Sequence, residues 1–142
     1  MTAYIDASAV VKLYVEDEGP GFDLGPVTAA CDSLATSRLT YVETTAALAA
    51  MRRAGRLSPD RHAAALDEFM VLWATFTVID VSQDVAHDAG EVAETFGLCA
   101  ADAIHLASLR ALGAAAVPLV AWDVRLRRAA LANGFACYPA AL

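Results

Sequence analysis

A chain of 142 residues with 58% hydrophobic and 19% charged content is long enough to bury a core without disulfides or a structural metal, and lies outside the range of disordered sequences. Charges interrupt every long apolar stretch, so no membrane span fits; with no basic and apolar leader before the first strand, the expectation is one cytoplasmic domain over residues 1–142. The net charge of −7 disfavours nonspecific adhesion to nucleic acid or anionic lipid.

Thr2–Asp6 reads as a short β-type run, and Val10, Val11 and Tyr14 give the following Ser8–Val15 a helical spacing. Asp6 therefore falls at the carboxyl end of a strand, where it is either a helix N-cap or a ligand. Glu16–Gly21 is a loop by its charge, Gly and Pro; a short helix through Phe22–Asp32 is weakened by Gly25-Pro26. A second strand over Leu34–Thr36 precedes an Ala-rich helix over Leu39–Ala54 that Gly55 caps. Glu43 sits near its start, as a charge favoured by the helix dipole or as a site acid. The lack of polar neighbours for three turns afterwards predicts a largely buried helix, where a lone charge is costly.

Ser58-Pro59 opens a further helix to about Thr75, with Ala65, Leu66, Phe69, Met70 and Trp73 on its buried face, and these two helices are expected to pair as a hairpin. Phe76–Val81 is a strand, Ser82 caps a helix to Phe96 that Gly97 stops, and Ala101–Leu112 is a helix ending at Gly113. Val117–Trp122 is the clearest buried strand, followed by a helix over Val124–Asn133, a stop at Gly134, and a last strand over Phe135–Tyr138. The βα alternation predicts an α/β fold with a parallel sheet, helices on both faces, and ligands beyond the carboxyl ends of the strands.

Cys31, Cys99 and Cys137 are odd in number and lack a CxxC spacing, and so read as small buried thiols. His62, His87 and His105 show no metal-binding spacing. The acids are more informative. Asp102 lies in Leu98-Cys99-Ala100-Ala101-Asp102-Ala103-Ile104, where the neighbour able to pair with it is His105, three residues on. Asp123 ends the Leu119–Trp122 run, and stands beside Asp6 if those strands are neighbours. Four acids from distant parts of the chain, each at a strand end or helix start, repel one another if gathered without a cation. An all-oxygen set selects a hard divalent ion, Mg2+ or Mn2+, and suits phosphodiester hydrolysis. Ser8 is an accessory candidate, or bonds its own helix backbone. Arg52, Arg53 and Arg56, with Arg125, Arg127 and Arg128 after Asp123, are candidate RNA contacts or solvated surface charge.

Four blocks carry a resemblance: Tyr4 to Tyr14 around Asp6, Tyr41-Val42-Glu43, Ala101-Asp102-Ala103-Ile104-His105-Leu106-Ala107, and Val120-Ala121-Trp122-Asp123 with Leu126, Ala129 and Gly134 behind it. In this order and over nearly the whole chain they resemble the PIN domain, specifically VapC-type toxins. The resemblance implies a PIN-like α/β/α sandwich, with a parallel sheet of four to five short strands and about seven helices. It also implies a homodimer, a metal-dependent ribonuclease using Asp6, Glu43, Asp102 and Asp123, and a VapB-type antitoxin that blocks the site. Ala7 and Ala121 stand where relatives often carry Thr or Ser. Two other readings compete: a PIN-fold interaction module that binds metal without catalysis, and an aspartyl-phosphate receiver or phosphatase, which normally needs a late lysine where this chain has only Lys12.

Overall fold

The computed structural model describes residues 1–15, 22–113 and 117–142, so the loop expected at Glu16–Gly21 lies outside the described residues. The elements are β1 (Thr2–Ile5), α1 (Ala7–Lys12), α2 (Gly25–Ala30), β2 (Ser33–Ser37), α3 (Leu39–Arg53) and α4 (Pro59–Trp73), then β3 (Phe76–Ile79), α5 (Gln83–Phe96), α6 (Ala100–Ala111), β4 (Leu119–Val120), α7 (Val124–Ala132) and β5 (Cys137–Tyr138). The strands form one five-stranded sheet in the order β3-β2-β1-β4-β5, each neighbouring pair parallel. The chain runs outward from β1 through β2 to β3, then returns to the other side of β1 for β4 and β5. The switch in direction lies between β1 and β4, where a doubly wound sheet opens a crevice at its carboxyl edge.

Strand alternation divides the core. Ala3 and Ile5 of β1 and Val120 of β4 join Val10, Leu48 and Phe69 on one face, while Tyr4 and Leu119 join Val92, Leu106 and Leu126 on the other. Burial on both faces explains why these strands read as apolar runs. No single helix among the described residues is long and apolar enough to cross a membrane.

Four expectations need correction. Gly25-Pro26 opens α2 instead of weakening it, because Pro at the first turn lacks an N–H that the helix would leave unpaired anyway. The strand expected over Val117–Trp122 is regular over Leu119–Val120 alone. Pro118 has no N–H to give a ladder, although its carbonyl still accepts from Tyr4 N at 2.9 Å. α3 is not largely buried: Thr40, Thr44 and Leu48 form a single inward stripe, and Ala46 and Ala50 are exposed. Its alanines record helix propensity and not a core position. The cysteines are not buried either, Cys99 being exposed and Cys31 and Cys137 intermediate.

Candidate active site

Asp6 follows the last residue of β1, and Asp123 stands three residues beyond Val120, the residue paired with Ile5. Both are N-caps, and each caps with one oxygen. Asp6 Oδ2 accepts from Ser8 N at 3.1 Å and from the Ser8 hydroxyl at 2.5 Å, leaving Oδ1 turned to His105. Asp123 Oδ1 accepts from Arg125 N and Leu126 N, each at 2.9 Å, leaving Oδ2 without a partner among the described residues. A carboxylate has two oxygens, so capping with one fixes the direction of the other. The cap and ligand readings are not alternatives here.

Glu43 and Asp102 are held differently, on helices and by side chains. Glu43 is the fifth residue of α3, outside the first turn where the helix dipole acts most strongly. Its Oε2 lies 2.6 Å from His105 Nε2. Asp102 is in the first turn of α6, and its Oδ2 accepts from the Cys99 thiol at 3.2 Å. Burial raises the Asp102 carboxyl above its ordinary range; the thiol opposes this, the charges of Asp123 and Asp6 add to it, and His105 opposes it. The mutual repulsion expected of the gathered acids is thus felt at Asp102.

His105 is the centre that sequence reading did not assign. It makes no hydrogen bond with Asp102, the alternative that their i,i+3 spacing offered. One turn into α6 and 1% exposed, it places Nε2 3.2 Å from Asp6 Oδ1 and 2.6 Å from Glu43 Oε2, with Nδ1 2.8 Å from the hydroxyl of fully buried Tyr4. Burial alone would lower its pKa. The charge of Asp6, the hydrogen bond and charge of Glu43, and the charge of Asp102 outweigh burial and hold the imidazole above its ordinary value. The imidazole thereby joins an acid at the end of β1 to one on α3. The available signal was a histidine at the inward spacing of an otherwise apolar helix, which needs polar partners from another element.

Ser8 bonds across the crevice and not to its own helix carbonyls: its hydroxyl donates to Asp6 and accepts from Trp122 N at 3.0 Å. The hydroxyl that orients Asp6 therefore comes from Ser8, with Ala7 and Ala121 buried beside it. Thr36 donates to the Ile5 carbonyl at 2.6 Å and lies 2.7 Å from the Thr40 hydroxyl, fixing the end of β1 from beneath. Arg127 is not a phosphate contact. It is 6% exposed and donates to the carbonyls of Ala121 at 2.9 Å and Pro139 at 2.6 Å, tying the ends of β4 and β5 together. Arg52, Arg53, Arg56, Arg125 and Arg128 are exposed. Lys12 lies over the Trp122 ring, 5.5 Å from its centroid.

The donors Asp6, Glu43, Asp102 and Asp123 are hard oxygens, which suits Mg2+ or Mn2+ and not a thiophilic ion. Among the described residues no three His, Cys, Asp or Glu side chains already stand as a closed metal cage. His105 accounts for this locally, since its Nε2 takes the position between Asp6 and Glu43. The residues fit a hard cation in chemistry, with strand-end oxygens oriented and Glu43 engaged elsewhere.

The pattern that defines the PIN domain matches residues 3–131. The ribonucleases VapC45 and VapC49 of Mycobacterium tuberculosis are each 37% identical to this chain over 139 residues, spanning 98% of it and 96% of the relative. The crystal structure of PAE2754 from Pyrobaculum aerophilum superposes with a TM-score of 0.71 at 24% identity, covering 96% of this chain and 92% of that one. VapBC2 from Rickettsia felis, bound to a DNA fragment from its promoter, gives a TM-score of 0.63 at 16% identity, covering 96% and 97%.

Proposed function

This chain belongs to the PIN-domain family, and from that premise we propose that it is an Mg2+- or Mn2+-dependent endoribonuclease, the toxin of a toxin–antitoxin pair, folded as one domain over residues 1–142. The observation that carries this reading is the meeting of Asp6 and Glu43, from β1 and α3, on one histidine beside Asp102 and Asp123 at the switch point of the sheet. The 37% identity to proteins named ribonucleases supports the reaction.

Asp6, Glu43, Asp102 and Asp123 would hold the ion. Once bound, it supplies the positive charge that makes a water acidic and stabilises the leaving oxygen of a phosphodiester. The chain's own groups prepare the site. Ser8 and the α7 amides direct the strand-end carboxylates, and His105 offsets the negative charge of Asp6 and Glu43. Arg52, Arg53 and Arg56 at one helix end, with Arg125 and Arg128 on α7, are proposed to hold RNA phosphates that a chain of net charge −7 would otherwise repel. A VapB-type antitoxin is the proposed inhibitor, a homodimer the proposed assembly and the cytoplasm the proposed place of action; the toxin–antitoxin complexes among the structural neighbours support the first.

The test is cleavage of single-stranded RNA. The protein should cut in Mg2+ or Mn2+ and stop in EDTA, and Asp102→Asn should lose roughly 10²–10³-fold in rate, the scale set by removing one oriented electrostatic group. Equal rates for wild type and Asp102→Asn at saturating Mg2+ would overturn the reading, and metal binding without cleavage would favour the interaction-module alternative.

A further inference from the structure

A cavity of about 450 Å3 has Lys12, Phe22, Trp122, Tyr138 and Pro139 in its walls. Its rings form a set: Phe22 meets Trp122 edge-on at 4.7 Å between centroids, and Tyr138 lies 6.3 Å from Phe22 at a tilt of 50°. Trp122 and Phe22 are half-buried, packed against the core from its edge, and Tyr138 is exposed, so the three rings line the cavity where the core meets solvent. The cation of the set is Lys12, the chain's only lysine, standing over Trp122. Asp23 also lines the cavity, but its Oδ1 is occupied by Gly25 N at 2.9 Å at the start of α2.

Position ties this cavity to the acids. Trp122 precedes Asp123, and its backbone N–H donates to the Ser8 hydroxyl, which donates to Asp6. Lys12 lies on the helix that Asp6 caps, six residues on, or roughly 9 Å along the axis. A flat unsaturated ring joined to an anion satisfies both features, the aromatic walls and the ammonium, and a nucleotide is such a group. We propose that this cavity is a base-binding subsite for single-stranded RNA: it receives the unstacked base of a nucleotide flanking the cut phosphodiester, with Lys12 against that nucleotide's phosphate. The inference rests on the ribonuclease reading and adds where the substrate is gripped.

The probe is a short single-stranded RNA that the wild-type protein cuts, intact and with an abasic nucleotide placed in turn at each position around the cut. In wild type, one abasic position should lower kcat/KM about tenfold or more, the scale of losing one base–aromatic stack. Trp122→Ala should cost a similar factor on the intact RNA and remove the penalty at that position alone, whereas Trp122→Phe should keep most of it. Tyr138→Ala, at an exposed ring, serves as a second variant should Trp122→Ala unfold, and should reduce the same penalty. Lys12→Gln should flatten the log–log salt dependence of RNA binding by about 0.7, the value for one phosphate contact on a single strand. Cleavage without any coupling between Trp122 or Tyr138 and an abasic position overturns this inference alone. The same holds if Trp122→Ala weakens only an inhibitory protein's binding. No cleavage of any RNA by wild type overturns the ribonuclease reading and this inference with it.

Discussion

The strand-end acids and the helix-borne acids reach the same crevice by different means. Asp6 and Asp123 each accept from backbone amides at the starts of α1 and α7, and Asp6 from the Ser8 hydroxyl as well, so the strand ends aim their second oxygens. Glu43 and Asp102 depend on side-chain partners, His105 for one and the Cys99 thiol for the other. The strand-end pair is therefore oriented before any cation arrives, while a cation joining Asp6 and Glu43 must compete with His105, which stands 3.2 Å from the one and 2.6 Å from the other. Orientation by the backbone costs no further ordering when a ligand binds, and this is the sense in which a site is preorganised.

Metal-linked stability is the widest way to break this comparison. At about 100 times its Kd, Mn2+ should stabilise the wild-type protein against urea by about 2.7 kcal/mol. Asp6→Asn or Asp123→Asn should remove that gain, whereas Glu43→Gln should keep part of it, because His105 lies closer to Glu43, at 2.6 Å, than to Asp6, at 3.2 Å. Equal losses for all three variants in urea titrations with and without Mn2+ would erase the distinction between the pairs.

Acidity sharpens it next. His105 has a folded pKa above its ordinary value of about 6.5, so the stability it contributes is complete below about pH 6.5 and is lost as pH rises through the folded value. The raised Asp102 carboxyl acts in the same sense from a lower starting point: its contribution is complete below about pH 3.9 and lost as pH rises through its raised value. In EDTA, the wild-type protein should therefore lose more stability between pH 6 and pH 9 than His105→Gln does. Parallel profiles for the two would mean that the ring carries no charge between Asp6 and Glu43.

The same division explains what was legible in the sequence. Strand-to-helix boundaries write themselves in local signals: Ser58-Pro59, Ser82 and Gly97 mark their helix ends as read, with Gly97 at φ 65° supplying the left-handed stop. Asp6 and Asp123 were legible for the same reason, since a cap is a local event. The convergence on His105 was not, because its partners are 62 and 99 residues away in the chain and no spacing rule connects them. Composition misled at α3, where alanine serves an exposed helix as well as a buried one, and at Arg127, whose place in an Arg-rich run hid a buried structural role.

Caps give the narrowest test, and one that separates charge from geometry. Asn is as good an N-cap as Asp, so Asp6→Asn and Asp123→Asn keep the bonds to Ser8 N and to Arg125 N and Leu126 N while removing a charge from a crowded acidic crevice. Metal-free stability should hold or rise at Asp123, whose second oxygen has no partner among the described residues, and should fall at Asp6, whose charge lies against buried His105. Ala removes the cap as well, and should cost about 1 kcal/mol relative to Asn at either position. Glu43 caps nothing, so a gap between Glu43→Gln and Glu43→Ala reads the acceptor that Gln keeps for buried His105 and not a cap. Urea midpoints in EDTA for these three pairs read the contrast directly. No gap at Asp6 and Asp123 would show that the backbone does not hold the strand-end acids, and their claim to be oriented ahead of the metal would go with it.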